Sequence, residues 1–226
     1  MQNTDNLFIV IDGSDSTGKG TQTKLLLNRL LKEGRAHETI SFPQYKTKSA
    51  GPTEEYLSGK YGKAHEVGPH ASSIFYAVDR FDASFQIRDW LDQGKTVITD
   101  RYVTSNMGHQ GGKITDHEER EKFFNWNDHL EHEIFGIPRP DICIILHVPT
   151  NTALKLQEQR GGWKSDLKTD IHETDAQHLR DAEVAYIHLA QVYPNSRLIS
   201  CDNSGELRSK EDIHNEIWQI ISSIKK

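Results

Sequence analysis

Five short runs of apolar and β-branched residues recur along the chain, and longer segments with helical spacing separate them. The runs are LFIVID (7–12), ETISF (38–42), TVITD (96–100), DICIILHV (141–148) and SRLISC (196–201). Their alternation with helices predicts crossover connections between parallel strands. The nearly continuous apolar run at 141–148 is typical of a strand buried on both faces. The pattern predicts an α/β fold, a five-stranded parallel sheet with helices on both faces.

The helical segments have the spacing of amphipathic helices. The first is predicted to begin near Gly18 and end near Gly34, with its inward positions at Leu25, Leu26, Leu30 and Leu31. The others are predicted over 70–93, 117–135, 151–160, 173–192 and 209–224. Two stretches, 45–69 and 160–172, have the composition of mobile flaps. Because no repeat or linker divides the chain, we expect one domain over residues 1–226.

Composition narrows the possible functions. The chain has 226 residues and a formal net charge of −6, whereas nucleic-acid binders carry an excess of basic residues. Cys143 and Cys201 lie in or at the end of apolar runs and are interpreted as reduced core thiols, which fits a cytoplasmic setting. No basic residue precedes Lys19 and no apolar stretch approaches about 18 residues, so we expect neither a secretory signal nor a membrane-spanning helix.

A glycine-rich loop, GSDSTGKGT at 13–21, directly follows the first predicted strand and precedes a Leu-rich helix. This arrangement aims backbone N–H groups and a helix N-terminus at a phosphate group. Lys19 is then expected to reach the β- and γ-phosphates of a nucleotide, while the backbone from Ser16 to Thr21 surrounds the rest. The sequence therefore predicts a phosphate-binding loop.

The position after Lys19 departs from the usual pattern, because Gly20 replaces the Ser or Thr whose hydroxyl commonly ligates Mg²⁺. Thr21 supplies a hydroxyl one residue later, and Asp100, at the carboxyl end of the third predicted strand, supplies a carboxylate that could hold Mg²⁺ through water. The run GKGTQ resembles the loop of nucleoside monophosphate kinases of the adenylate kinase type, which keep Gly at this place. Thr21 and Asp100 are the candidate metal residues.

Two further features carry candidate chemistry. Arg101 follows Asp100 at the edge of the sheet and can clamp a phosphate through two hydrogen bonds, unless the two residues form only a structural pair. Tyr76 and Arg80 lie one helical turn apart on the same face. Together they can stack on and hydrogen-bond a planar base, although ordinary helix packing is an alternative.

In their order along the chain, these segments resemble the thymidylate kinase family, whose members phosphorylate dTMP from ATP with Mg²⁺ in dTTP synthesis. The resemblance runs from residue 7 to the last helix. It implies a P-loop NTPase-like three-layer fold with a short lid near 160–172, and a homodimer joined through helices beside the sheet. The implied ATP contacts are Gly13, Ser14, Asp15, Ser16, Thr17, Gly18, Lys19, Gly20 and Thr21.

The resemblance also implies a dTMP site. Around the sugar and phosphate, Asp15 takes the acidic position that contacts the deoxyribose 3′-hydroxyl, Arg101 of the DRY motif binds the acceptor phosphate, and His109 and Gln110 lie near the sugar. The implied base site is formed by Phe42, Pro43, Tyr76, Arg80, Ser105 and Asn106. Within it, Arg80 matches the arginine that reads the thymine carbonyl, and Tyr76 replaces the stacking aromatic, which is usually Phe.

The lid supplies the last implied residues. Family members without an arginine in the phosphate loop, where this chain has Ser16, usually take one from the lid, and Arg160 in QRGGWKSD is the best match. Lys164 and Lys168 are weaker matches, and Glu173 takes the place of an acidic residue near the sugar and metal. The catalytic set implied in this way is Lys19, Arg101, Asp15 and Arg160.

One departure from the family concerns acceptor binding. Many members carry an arginine shortly after Phe-Pro, where this chain has Gln44, Tyr45 and Lys46, so Lys46 or Lys48 is a candidate replacement.

Three other functions stay open. The first is a deoxynucleoside kinase, which needs a carboxylate after the second strand to deprotonate a hydroxyl, where this chain offers Phe42 and Pro43. The second is another nucleoside monophosphate kinase. The third is a non-catalytic nucleotide-binding module or P-loop switch, which would use Lys19 but not the acceptor-side residues.

Overall fold

The computed structural model describes residues 6–159, 176–203 and 205–224. Its longer strands are β1 (Phe8–Asp12), β2 (His37–Ser41), β3 (Thr96–Asp100), β4 (Ile142–His147) and β5 (Ser196–Ser200). The helices are α1 (Lys19–Lys32), α2 (Gly51–Leu57), α3 (Pro69–Asp92), α4 (Val103–Gly111), α5 (His117–Asp128), α6 (Thr150–Gln159), α7 (Ala176–Val192) and α8 (Lys210–Ser222). A π-helical turn (His129–Ile134) follows α5, and a hairpin of β6 (Asp202–Asn203) and β7 (Glu206–Leu207) precedes α8.

The sheet contains β1 to β5 in the order β2-β3-β1-β4-β5, and every pair in it is parallel. β1 lies in the middle, where Ile9 pairs with both Ile98 of β3 and Ile142 of β4. The chain adds strands first on one side of β1 and then on the other. Ligands of open parallel sheets bind at the carboxyl ends of the strands beside such a switch point. The loops after β1 and β3 both begin there.

Helices cover both faces of the sheet, and each face has its own apolar core. On one face, Leu26 and Leu30 of α1 and Ile217 of α8 pack against the inward side chains of the strands. On the other, Ile87 of α3 and Met107 of α4 pack with Phe123 and Tyr186 of α5 and α7. This arrangement confirms the predicted α/β P-loop NTPase-like fold with three layers. In the part of the chain that the structure describes, none of the helices is both long and apolar enough to span a membrane.

Several local predictions were wrong. Leu31 was expected to face inward but is 69% exposed, because successive helix positions differ by about 100° and Leu30 already points at the sheet. The predicted helix at 117–135 changes at His129 into the π-helical turn. The 45–69 stretch, expected to be a flap, contains α2, whose Tyr56 and Leu57 are buried.

Helix α4 was not predicted, and its glycines explain how it fits between its neighbours. A Cβ built on Gly108 would lie 2.4 Å from Cζ of Tyr186 in α7, and one on Gly112 would lie 2.9 Å from the backbone nitrogen of Ala182. A Cβ on Gly111 would lie 2.7 Å from Cε1 of Phe124 in α5. The glycines therefore allow α4 to approach both helices closely, directly after Asp100 and Arg101 at the ligand edge of the sheet.

Candidate active site

The loop between β1 and α1 has a backbone that its glycines make possible. Gly13 has φ +133°, and a Cβ there would lie 2.3 Å from the carbonyl oxygen of Leu146 in β4. Ser16, a non-glycine residue, has φ 63°, a conformation that concentrates at functional sites. Lys19 Nζ donates hydrogen bonds to the carbonyl oxygens of Gly13 (3.0 Å) and Ser14 (2.8 Å). The loop thus curls around the ammonium group at the N-terminus of α1.

An open cleft runs along this loop, and we call it the loop cleft. It is lined by Asp15, Ser16, Gly18, Lys19, Gly20, Thr21, Lys24, Ser41, Phe42, Pro43, Tyr45, Asp100 and Arg101. Burial and the nearby Arg101 charge lower the pKa of Lys19 to about 8. Burial also raises the pKa of Asp100. A Cβ on Gly20 would lie 4.0 Å from Asp100 Oδ2, so this carboxylate lies beside the loop.

A second, more enclosed cavity adjoins the loop cleft, and we call it the acceptor cavity. It is lined by Asp15, Phe42, Pro43, Tyr45, Leu57, Tyr76, Arg80, Arg101, Ser105, Asn106, His109 and Gln110. All ten residues expected at a dTMP site are in this lining. Tyr45 and Leu57 were not expected there. The two sites share one boundary, which includes Asp15 and Arg101.

A cluster of charged and polar groups forms this boundary. Arg101 Nη2 donates a hydrogen bond to Asp15 Oδ1. The distance between Arg101 Nη1 and His109 Nε2 is 2.8 Å. Burial raises the pKa of Asp15. The positive charges of Arg101 and Lys19 lower it by more, so the pKa of this carboxyl is held well below its usual range. Burial and Arg101 hold the pKa of His109 well below its ordinary value, so the imidazole is neutral and accepts from Arg101. Arg101 itself has φ 68°, again a conformation that is costly outside glycine.

Arg80, in the lining of the acceptor cavity, belongs to a buried ion pair. Arg80, 1% exposed, donates from Nε and Nη2 (2.7 Å) to the two carboxylate oxygens of Glu131, which is 0% exposed. Asn106 and Asn127 both donate to Glu131 Oε1, at 3.3 and 3.2 Å. Glu131 belongs to the π-helical turn and was not expected at the site.

Asp12 lies beneath the boundary as a buried anchor. Its Oδ1 accepts from the backbone nitrogen of Gly13 (2.8 Å), Ser105 Oγ (2.6 Å) and Tyr186 hydroxyl (2.8 Å). Its Oδ2 accepts from Thr104 Oγ1 at 2.5 Å. One carboxylate therefore ties the phosphate loop to α4 and α7. An Asp that ends an apolar strand directly before a glycine loop is the signal in the sequence that could have identified it.

Some expected residues lie elsewhere. Arg160, Lys164, Lys168 and Glu173 lie outside the described residues. Lys46 and Lys48 are exposed and line neither site within the part of the chain that is described.

Other residues of the site were missed. Lys24, one turn into α1, lines the loop cleft. His178 of α7 has its Nε2 3.3 Å from His109 Nδ1. Neither position belongs to a local motif, so only the folded arrangement indicates them.

Comparisons with known proteins agree with this geometry. The model of a family described as thymidylate kinase matches residues 11–217. The chain is 28% identical over 221 residues to a probable thymidylate kinase from Thermococcus onnurineus, covering 95% of this chain and 97% of the relative. It is 28% identical over 186 residues to the thymidylate kinase of Mycobacterium tuberculosis, covering 81% of this chain and 86% of that protein.

A solved structure gives the same fold. The thymidylate kinase of Candida albicans superposes with a TM-score of 0.74 at 23% identity, over 97% of this chain and 92% of that one. At that identity the similarity supports the fold alone.

Proposed function

The chain belongs to the thymidylate kinase family, and from that premise we propose that it transfers the γ-phosphoryl group of ATP to dTMP, giving dTDP and ADP. Family membership makes it an ATP-dependent nucleoside monophosphate kinase. The observation that carries the choice of acceptor is the acceptor cavity, whose lining includes all ten residues expected to bind dTMP. Its shared boundary with the loop cleft lets donor and acceptor phosphates meet beside Arg101.

On the donor side, the loop from Gly13 to Thr21 is proposed to bind the ATP phosphates, with Lys19 as their cation. The oxygen atoms available in the loop cleft suit Mg²⁺ as ligands. The Asp100 carboxylate lies beside Gly20, and Thr21, which carries a hydroxyl, belongs to the same lining. Mg²⁺ when bound supplies charge neutralisation on the ATP phosphates. Asp100 and Thr21 are therefore proposed to hold it, directly or through water.

On the acceptor side, Arg101 is proposed to bind the phosphate of dTMP. Its bond to Asp15 keeps the guanidinium at the boundary, and its bond to His109 fixes a second edge. Phe42, Pro43 and Tyr76 all line the cavity. Thus the phosphate end of dTMP lies at Arg101 and the base end at Arg80.

The reaction needs no general base, because the phosphate of dTMP is already ionised at neutral pH. The protein contributes positioning and the neutralisation of developing charge by Lys19 and Arg101. We further propose that Arg160 adds a lid cation, with Lys164 and Lys168 as alternatives and Glu173 near the sugar.

The alternatives fit the acceptor cavity less well. A nucleoside kinase needs a carboxylate that reaches the 5′-hydroxyl, and the residues that follow β2 are Phe42 and Pro43. Asp15 lines the cavity but is paired with Arg101, which depresses its pKa and makes it a poor base. A nucleotide-binding module does not need the second cavity.

A homodimer is part of the proposal. α3 carries a stripe of exposed apolar side chains at helical spacing, Ile74, Val78, Phe81 and Phe85. Phe85 is 62% exposed, and such a stripe favours association with a second copy. Light scattering should give twice the 25.8 kDa of one chain, and a mass of one chain would contradict the dimer.

We also propose that residues 1–226 form one kinase domain with a lid near 160–172, since the family match spans 11–217. The two cysteines, both free and buried, support a reducing cytoplasmic location. The negative net charge supports small-molecule rather than nucleic-acid partners.

The test is a coupled assay of ADP release with ATP and Mg²⁺, offering dTMP, dUMP, AMP and thymidine in parallel. We expect dTMP to give the highest kcat/KM and thymidine to give none. Activity with thymidine alone would favour a nucleoside kinase. ATP binding with no transfer to any acceptor would favour the binding module.

A further inference from the structure

Glu131 is buried behind the acceptor cavity and accepts hydrogen bonds from one edge of the Arg80 guanidinium group. The carboxylate accepts from Nε and Nη2 of the guanidinium, so Nη1 is the nitrogen that Glu131 leaves unused. Arg80 lines the cavity, which makes Nη1 its donor toward a ligand. Burial lowers the pKa of Arg80, but the Glu131 carboxylate raises it above its ordinary value, so the group stays charged.

The same carboxylate helps to set the orientation of Asn106. Three acceptors surround one end of this side-chain amide, namely the carbonyl oxygen of Ser73 (3.0 Å), Asn127 Oδ1 (3.4 Å) and Glu131 Oε1 (3.3 Å). That end must therefore be the NH₂ group, since an oxygen there would face three oxygens. Asn106 also lines the cavity, so its Oδ1 is the atom left for a ligand.

The cavity wall then presents a donor from Arg80 beside an acceptor from Asn106. Thymine and uracil carry an acceptor at O4 and a donor at N3–H, which matches this order. Cytosine carries a donor at N4 and an acceptor at N3, which reverses it and places like groups against each other. Buried polar groups without partners are costly, so a fixed order of this kind discriminates strongly.

We propose that Glu131 is a positioning residue that fixes this donor–acceptor order and thereby makes the enzyme select thymine and uracil over cytosine. Glu131 touches no substrate in this assignment and acts through Arg80 and Asn106. Asn127 supports it from the opposite side, donating to Oε1 at 3.2 Å while accepting from Asn106. This inference rests on the proposed function, because it assumes that the acceptor cavity binds the base of a nucleoside monophosphate.

The test compares kcat/KM for dTMP, dUMP and dCMP in the wild type and in Glu131→Gln at saturating ATP. The substitution keeps the shape but replaces one of the two acceptor oxygens with an NH₂ group and removes the negative charge, so the hold on Arg80 and Asn106 weakens although the Ser73 carbonyl oxygen still accepts from Asn106. We expect the dTMP-to-dCMP ratio to fall about 10- to 100-fold. The dTMP-to-dUMP ratio should not change, because these bases share the edge that is read. A general structural defect lowers all three rates alike and leaves both ratios unchanged.

Asp128→Asn is the matched control. Asp128 lies one turn earlier, is bonded to Arg139 and Tyr193, and does not line the acceptor cavity within the described residues. This variant removes a charge from the same segment, and we expect both substrate ratios to stay at the wild-type values. Glu131→Asp is the second test variant, since it keeps the charge that Arg80 needs and decides the question if Glu131→Gln does not fold. It shortens the side chain, so the dTMP-to-dCMP ratio should fall by less.

The outcomes separate the two claims. If the wild type does not phosphorylate dTMP, the proposed function is wrong. If it phosphorylates dTMP but accepts dCMP equally, or if a folded Glu131 variant keeps the wild-type dTMP-to-dCMP ratio, the role of Glu131 is wrong and the proposed function stands.

Discussion

The contact between α4 and α7 permits a quantitative prediction for Gly108→Ala. The added Cβ would lie 2.4 to 2.6 Å from three ring carbons of Tyr186, far inside van der Waals contact. The ring has little room to move, because Tyr186 is 2% exposed and its hydroxyl is bonded to Asp12 Oδ1 at 2.8 Å. The substitution therefore pushes the helices apart and moves the tyrosine hydroxyl away from Asp12.

The cost follows from these two effects. Overpacking a dense core typically costs about 1–3 kcal/mol. Loss of the hydroxyl donor from a buried carboxylate costs a further 1–3 kcal/mol, roughly. Replacing Gly by Ala inside a helix by itself stabilises the folded state by about 0.5–1 kcal/mol, which offsets part of this cost. We therefore expect Gly108→Ala to lower the free energy of unfolding by about 1–5 kcal/mol, a large part of the 5–15 kcal/mol typical of a domain. Because Ser105 and the Gly13 nitrogen share Asp12, kcat/KM should fall as well.

Urea unfolding followed by circular dichroism measures this change. Gly68→Ala is the control, since Gly68 has φ −57° and a Cβ there meets nothing within 4 Å. Gly68 is the N-cap of α3, where Ala is less favourable than Gly, so the control should lose no more than about 1 kcal/mol. If Gly108→Ala loses less than about 1 kcal/mol, α4 and α7 are not packed as closely as the structure shows and the reasoning fails.

Four further predictions concern the site, its pH dependence and assembly. Lys19→Ala or Arg101→Ala should lower kcat by about 10²–10⁴ in protein that is still folded by circular dichroism, because each removes charge neutralisation in transfer; near-normal turnover refutes the assignment. Gly20→Ser should lower the Mg²⁺ concentration for half-maximal rate, since its hydroxyl would lie beside Asp100; an unchanged or higher value argues against a metal there. Burial lowers the pKa of Lys113 from 10.5 to about 8, so between these values the unfolded chain binds more protons and stability rises with pH. Relative to Lys113→Met, urea unfolding should show a rise of up to about 3 kcal/mol across that window, and a flat difference contradicts it. Phe85→Asp should halve the mass in light scattering with the fold intact, whereas a retained dimer places the interface elsewhere.

The features that could be predicted from the sequence are those carried by local patterns. The three central strands β1, β3 and β4 are buried runs of mainly apolar and β-branched residues, and the phosphate loop is a contiguous motif between a strand and a helix. The residues of the acceptor cavity were located through family resemblance, and the fold brings them to one edge of the sheet.

The features that could not be predicted depend on contacts between distant segments. Gly108 interrupts the apolar periodicity of α4. A glycine is needed there because Tyr186, 78 residues later in the chain, packs against it, and a local sequence pattern does not extend over that separation. Glu131 looks like a solvent-exposed charge in HLEHEI, and its burial is explained by its contacts with side chains such as Arg80, 51 residues away. The prediction that Leu31 faces inward was wrong because an apolar residue in a Leu-rich helix need not face the core.

Transfer of the phosphoryl group to dTMP is measured by identifying the products formed from dTMP and ATP in the presence of Mg²⁺ by chromatography and mass spectrometry. We expect equimolar dTDP and ADP with the wild type, and neither product with Arg101→Ala on the same timescale. ADP accompanied by inorganic phosphate, with dTMP recovered unchanged, would contradict it.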